Sequence, residues 1–335
     1  MSTEESFWRG RCVAITGATG FVGHHLALAL LRRGAVVTAL IRNVVKARRL
    51  SAAGVTCLDV PLHDRAALTT ACAGATIVFH LAGAVDFEVD WLRFFEVNVE
   101  GTRNILAAAR GAGVQRFVHT SSIVAVGAGQ RPEVLDESAD WNLGRLRVPY
   151  ITTKRLAEEA VLAPGDGTPE VIVVNPSSVI GPDDFVGSEF GTLCRRFWRG
   201  HIPVYFGGGL NLVDVRDVAE GHLLAAQHGR AGARYLLSGT NRTYGDFFSD
   251  LTRIAGRAIP RIRLPNSAGT LAARIEKLVR RQGRHPYLTV SQARLLGLYF
   301  YFDCTKARRE LGYQPRAYRE TLAATHTFWT TPQAN

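Results

Sequence analysis

The chain has 335 residues, 47% of them hydrophobic, which is enough to bury a sizeable core and excludes disorder as the dominant state. Its formal charge of +11 comes from cations spread along the chain with no RNP-like, zinc-finger or helix-turn-helix pattern beside them, so nucleic acid is not an expected partner. No run nears the roughly 20 apolar residues of a membrane span, Glu4 and Glu5 stand where a signal peptide would be basic, and the 5 cysteines form no CxxC pair; we expect a cytoplasmic protein with reduced thiols and no metal site.

A β-branched strand over residues 12–16 runs directly into Gly17-Ala18-Thr19-Gly20-Phe21-Val22-Gly23. A helix over 21–33 follows, with Val22, Leu26, Ala29 and Leu30 on one face and Gly34 as its stop. Glycines three apart let a backbone turn tightly at a helix N-terminus and approach a pyrophosphate. Because this turn links a strand to a helix, Gly17, Thr19, Gly20, Phe21, Val22 and Gly23 are read as cofactor-binding. His24 and His25, in the first helical turn, are read as packing residues.

The second strand, over 36–41, ends in Leu40-Ile41-Arg42. An NAD enzyme places an acid here for the ribose hydroxyls; Arg42, with no Asp or Glu between residues 36 and 50, points instead to the 2′-phosphate of NADPH or NADP. After a third strand over 55–58, Asp59 is placed to meet the adenine, with Val60 beside it. A fourth strand over 77–81, a helix over 97–111 and a fifth strand over 117–120 continue the alternation.

Thr120-Ser121-Ser122-Ile123 then presents hydroxyls at the carboxyl edge of the sheet, where open α/β folds bind ligands, and one of them can hold a substrate's reacting oxygen. The next helix, over 149–163, starts on a proline and carries Tyr150 and Lys154 at i and i+4, on one face. A free phenol, with a pKa of about 10, is a poor base at neutral pH, and a nearby ammonium favours its ionised form. A sixth strand over 171–174 completes the first half.

The expected fold is therefore α/β, a Rossmann-type doubly wound parallel sheet, with a smaller mixed α/β substrate-binding lobe. We place the dinucleotide domain at 1–175, with returning elements around 210–238, and the lobe mainly at 176–335. Within the lobe we expect a loop at 181–191, a turn at 207–209, a strand and helix over 212–227 and a strand over 235–237. Residues 271–284 look like an exposed amphipathic helix or a lid. Phe185, Phe190, Phe197, Trp198, Tyr205 and Phe206 suit an apolar substrate wall or ordinary packing.

Together the glycine turn, the strand-end serines and the helical Tyr/Lys pair resemble the short-chain dehydrogenase/reductase superfamily, in its extended, NAD-dependent epimerase/dehydratase branch. His80-Leu81-Ala82-Gly83, Asn98-Val99-Glu100-Gly101-Thr102 and Asn175-Pro176-Ser177-Ser178-Val179-Ile180-Gly181-Pro182 agree with that resemblance. It implies that Ser122 orients the substrate, that Tyr150 is the general acid/base, and that Lys154 is its electrostatic partner and reaches the nicotinamide ribose. It further implies that Asn98 is a structural or proton-relay residue, that Ala82 and Gly83 line the cofactor, and that Pro176, Ser178 and Val179 bound the nicotinamide. Homodimers through a helix pair including 149–163 are common in the family; His80 is read as a packed strand residue.

Within this branch Asn175-Pro176 and residues 179–182 resemble dihydroflavonol reductases, cinnamoyl-CoA reductases and their bacterial relatives, whereas many sugar epimerases have arginine in place of Asn175. Sugar-nucleotide enzymes also commonly carry an arginine where this chain reads Gly209-Leu210-Asn211-Leu212. The expectation is an NADPH-dependent reductase of a ketone or aldehyde, acting on a small-molecule carbonyl. Residues 210–224 and 302–307 resemble proteins labelled hopanoid-associated sugar epimerases, which keeps a nucleotide-sugar epimerase/dehydratase with tightly bound NAD(P) as the alternative. A non-catalytic NADP-sensing regulator is the third reading; such relatives usually lack the Tyr-x-x-x-Lys pair kept here.

Overall fold

Strands this rich in Val, Ile and Leu and separated by helices are stable only when both sheet faces are covered. The computed structural model, which describes residues 3–85, 90–163, 168–202, 204–256, 262–279 and 288–331, has that arrangement. Its first half contributes β1 (Cys12–Thr16), β2 (Val36–Ile41), β3 (Thr56–Asp59), β4 (Ile77–His80), β5 (Arg116–Thr120) and β6 (Glu170–Pro176). Its second half contributes β7 (Ser178–Ile180), β8 (Val204–Tyr205), β9 (Gly209–Asp214), β10 (Arg234–Leu237), β11 (Thr240–Thr243) and β12 (Ile262–Arg263).

Seven strands form one sheet in the order β10-β6-β5-β4-β1-β2-β3, with every pair parallel. From β1 the chain winds one way to β2 and β3 and the other way from β4 onward, so the crevice beyond the carboxyl ends of β1 and β4 is the topological switch point. The two core layers lie on either side: Ile15, Leu26, Leu30 and Val37 on one face, Leu68, Ile105, Ala108 and Phe117 on the other, all at most 2% exposed. Six strands and two of the three predicted helices of this half lie within a residue or two of their predicted places, with β3 ending at Asp59 rather than Leu58.

The predicted helix over 97–111 begins earlier. It starts at Trp91, where the Asp90 carboxylate accepts the Arg93 N–H at 2.8 Å, runs through a π turn at Phe95–Glu100 and continues as Gly101–Gly111. Its first turn has no apolar periodicity to read, because Trp91 and Leu92 are both exposed.

In the lobe, β9 is buried throughout between β7 and β11. Phe197, Trp198, Phe247 and Leu322 fill the core beneath it, and Trp198 Nε1 donates to the Leu251 carbonyl at 3.0 Å. Phe197 and Trp198 are thus packing residues. The expected loop at 181–191 gives way to a helix, Glu189–Trp198, capped where the Ser188 hydroxyl accepts the Gly191 N–H. The basic stretch forms the helix Asn266–Val279, and residues 280–284 of it lie outside the described residues, as do 164–167 of the loop after the 149–163 helix. Among the described residues no helix is long and apolar enough to cross a membrane.

Candidate active site

Gly17 leaves β1 with φ +73°, and a Cβ there would lie 2.6 Å from the Ala82 nitrogen. A Cβ on Gly23 would stand 2.2 Å from the Gly17 carbonyl oxygen. Both positions therefore require glycine, and the turn brings the start of the helix Phe21–Arg32 against the residues after β4. Gly20 caps that helix without a side chain, which leaves its first N–H groups for a ligand; this cradle fits a dinucleotide pyrophosphate. Thr19 and Val22 flank it half-buried, and the Phe21 ring is buried.

Arg42 and Asp59 are exposed at the same carboxyl edge, since Ile41 and Asp59 are Cα partners in the sheet. Val60 is buried behind them and donates its N–H to the Ile41 carbonyl at 2.9 Å. His24 and His25 pack as expected: the His24 ring meets Phe185, and His25 Nε2 contacts the Pro182 carbonyl at 3.1 Å.

The loop after β4 is held by a buried chain of hydrogen bonds. Thr102 donates its hydroxyl to the Asn98 carbonyl at 2.6 Å, so its oxygen must accept from His80 Nε2 at 2.9 Å. His80 Nδ1 then accepts from the Thr16 hydroxyl at 2.7 Å, and the Thr16 oxygen accepts the Ala82 N–H at 3.2 Å. Burial keeps this imidazole neutral, with its pKa pushed down to about 3 and the Lys154 charge adding to the shift. His80 is a latch that fixes the backbone at Ala82.

Asn98 sits in the π turn, where the widened helix turns its side chain inward, and it is 2% exposed. Its Oδ1 accepts the Ala84 N–H at 2.7 Å, while its Nδ2 donates to the Ala84 carbonyl at 3.2 Å and to the Thr153 hydroxyl at 3.1 Å. Asn98 therefore joins the loop holding Ala82 and Gly83 to the helix Pro149–Leu162 that carries Tyr150 and Lys154.

Tyr150 is half-buried, with its ring 6.1 Å from that of Phe94, and it packs against the buried cluster of Ala128, Leu143, Val148 and Ile151, which Leu295 and Leu298 also cover. Burial pushes its phenol up to about 12, a hydrogen bond from the Ser122 hydroxyl pulls it back, and the Glu189 carboxylate adds to the rise. Ser122 is itself fixed in extended backbone as the cap of a short 3-10 turn, its oxygen accepting the Val124 N–H. The structure thus brings Ser122 and Tyr150 together. Ser121 lies beside them, 5% exposed.

Lys154 is 9% exposed and donates from Nζ to the Thr120 carbonyl at 2.7 Å. Burial lowers its pKa to about 8, against the pull of Glu158 one turn further along. Glu158, only 1% exposed, accepts from Asn175 Nδ2 at 2.6 Å and faces Arg234 Nε at 3.3 Å. Asn175 also donates to the Ser122 carbonyl at 3.1 Å, tying β6 to the serine. Sequence reading missed Glu158, Thr153 and Glu189; the i+4 spacing from Lys154 to Glu158 was the available signal.

Pro176 and Ser178 are buried at the end of β6 and the start of β7, and Val179 is half-buried after them. These residues close the crevice on the side away from the glycine turn, because β6 lies beyond β4 and β5 in the sheet order and β7 follows it directly in the chain.

The comparisons with known proteins agree with this geometry. The chain belongs to the NAD dependent epimerase/dehydratase family, which matches residues 13–238. It is an NAD(P)-dependent oxidoreductase acting on CH–OH or carbonyl groups. It is 35% identical, over 95% of its length and 94% of the relative's, to a Synechocystis protein provisionally named dihydroflavonol 4-reductase. It is 32% identical, over 90% of the chain and 91% of the relative, to the 4-hydroxy-2-methyl-3-oxo-4-farnesyl-3,4-dihydroquinoline-1-oxide ketoreductase of Stigmatella aurantiaca. The crystal structure of gox2253 superposes with a TM-score of 0.81 at 33% identity, covering 96% of this chain and 98% of that one.

Proposed function

We propose that this protein is an NADPH-dependent reductase of an apolar ketone or aldehyde. The observation that carries the proposal is the Tyr150 phenol, held protonated at neutral pH by burial and hydrogen-bonded to Ser122, beside the Phe94 ring and on an apolar cluster that Leu295 and Leu298 also cover. A group that must give up a proton works best when it arrives protonated.

The nicotinamide cofactor, when bound, supplies the hydride. Gly17, Thr19, Gly20, Phe21, Val22 and Gly23 would hold its pyrophosphate, Arg42 its 2′-phosphate, Asp59 and Val60 its adenine. Ala82, Gly83, Pro176, Ser178 and Val179 would bound its nicotinamide half. Ser122 donates a hydrogen bond to the substrate oxygen and orients the carbonyl. Tyr150 gives its proton to that oxygen as negative charge develops there. Lys154, charged below about pH 8, stabilises the phenolate left behind. Asn98 keeps the Tyr150 helix in register with the 82–84 loop.

Two observations favour a substrate without a nucleotide. Leu210, Asn211 and Leu212 are buried in β9, with Asn211 spent on Asn241 and the Gly239 N–H, so no cation projects from this strand. Arg216 is bound by both oxygens of Asp214, at 2.9 and 2.7 Å. Both named relatives above carry reductase or ketoreductase names.

The test is NADPH oxidation against a panel of ketones, aldehydes, 3-oxo acids and nucleotide sugars, with turnover expected on apolar ketones and aldehydes. Turnover confined to nucleotide sugars would overturn the proposal. For Arg42→Ala, KM for NADPH should rise at least tenfold while KM for NADH stays within about twofold, since one bidentate cation–phosphate contact is lost. An unchanged ratio would remove the case for NADP.

A further inference from the structure

The helix Asn266–Val279 has two apolar faces, and the fold covers one of them. Gly269 and Ala273 are buried, and a Cβ on Gly269 would lie 2.6 Å from a Leu296 methyl and 2.7 Å from the Phe206 ring. Leu271, Ile275, Leu278 and Val279 stand at i, i+4, i+7 and i+8, which at about 100° per residue places them on the opposite side. Their exposures are 59%, 50%, 85% and 72%. Arg274 and Lys277 are exposed on the same helix, along one flank of that stripe. Just before the helix, Ile262 is 57% exposed, and Arg263 lines a shallow cavity with Leu264, Pro265 and Asn266.

We propose that this helix lies in the surface of an anionic lipid bilayer, with the 271–279 stripe among the acyl chains and Arg274 and Lys277 at the headgroup phosphates. A surface helix with an apolar stripe bordered by cations has the build of an interfacial segment, and a chain with a formal charge of +11 is drawn to an anionic surface as a whole. A second copy is a poorer occupant. The stripe is about 12 Å long and one helix wide, whereas a stable protein interface buries about 800 Å² per partner.

The opposite face of the helix packs on the helix Val290–Ala293, and the chain beyond it lays Leu295 and Leu298 on the same buried cluster, Ala128, Leu143, Val148 and Ile151, that Tyr150 packs against. The bilayer contact therefore lies over the wall of the site. Resting on the reductase reading, this position gives a membrane-dissolved carbonyl compound a route to Tyr150 that avoids water.

The experiment is co-sedimentation of the full chain with vesicles of phosphatidylcholine, with and without phosphatidylglycerol. Binding should require phosphatidylglycerol and weaken as salt is raised from about 0.05 M to about 0.5 M, where screening shortens the reach of charge. A triple variant, Leu271→Gln, Ile275→Gln and Leu278→Gln, should lower the partition coefficient about tenfold or more. The pair Arg274→Glu and Lys277→Glu should lower it on phosphatidylglycerol vesicles alone. These side chains are exposed, so near-UV circular dichroism and turnover of a water-soluble ketone should match the parent. No pelleting of the parent, or equal pelleting of parent and triple variant, would overturn the proposal. So would a change of oligomeric state in the triple variant with vesicle binding intact. Turnover of soluble ketones, read on the same samples, tests the reductase reading separately.

Discussion

Tyr150 and Lys154 share one helix face but meet different neighbours. The phenol touches Ser122 and feels the Glu189 charge, whereas the ammonium is anchored to the Thr120 carbonyl and balanced by Glu158. Tyr150→Phe should keep the fold and cofactor affinity and lose about two orders of magnitude or more in turnover, as expected for a positioned acid; near-normal NADPH oxidation would refute its role. Lys154 has its pKa depressed to about 8, so it loses its charge as pH rises through that value, and reductive turnover should decline on the alkaline side. Removing the Glu158 charge with Glu158→Gln takes away what favours the ammonium, so the decline should begin at lower pH. An alkaline limb left in place would mean that Glu158 serves only to hold Asn175 and Arg234. Tyr150 and Lys154 were legible because two reactive residue types recurred at helical spacing. Glu158 has that spacing too, but a carboxylate on a helix is usually solvated, and only the burial of this one shows that it matters.

The six strands of the first half were legible as short apolar, β-branched runs, whereas the short helices Arg48–Ala52 and Arg65–Cys72 were not read. The π turn was not, since a one-residue widening of a helix leaves no periodicity in fewer than two turns. Its consequence is specific: it lets Asn98 reach Ala84 and Thr153 while Val99 stays in the core. The glycine turn is equally strict. In Gly23→Ala the new methyl would have to occupy space 2.2 Å from the Gly17 carbonyl oxygen, so the turn must shift. Cofactor affinity should fall at least tenfold, measured by fluorescence titration with NADPH, with the far-UV spectrum little changed. Full affinity would mean that the turn is not the pyrophosphate cradle. Elements of the lobe such as β7, β8, β11 and β12 are two to four residues long and were missed because such stretches carry too few alternations to register.

Across the whole molecule, His80, His119 and His222 are buried and neutral, with His80 lowered to about 3 and His222 to about 4 by burial. The unfolded chain takes up protons on these rings as pH falls below about 6.5, and the native one does not. Their contribution to stability is therefore complete above pH 6.5 and lost progressively below it. At pH 5 His80 and His222 each cost about 2 kcal/mol, and His119 acts in the same direction. The urea midpoint should drop steeply between pH 7 and 5, with a shallower slope in His222→Asn; an unchanged slope would place the acid sensitivity elsewhere.

The return of β10 has a consequence for synthesis. The strand that closes one edge of the seven-stranded sheet is made from Arg234–Leu237, after the chain has left the sheet for β7, β8 and β9, and its Leu236 N–H is claimed by the Glu137 carboxylate at 2.9 Å. Until about two thirds of the polypeptide has left the ribosome, β6 is an open rim with the apolar run 171–174, able to pair with any neighbouring strand. A premature stop between β6 and residue 234 would therefore release a sticky fragment rather than a smaller working nucleotide-binding unit.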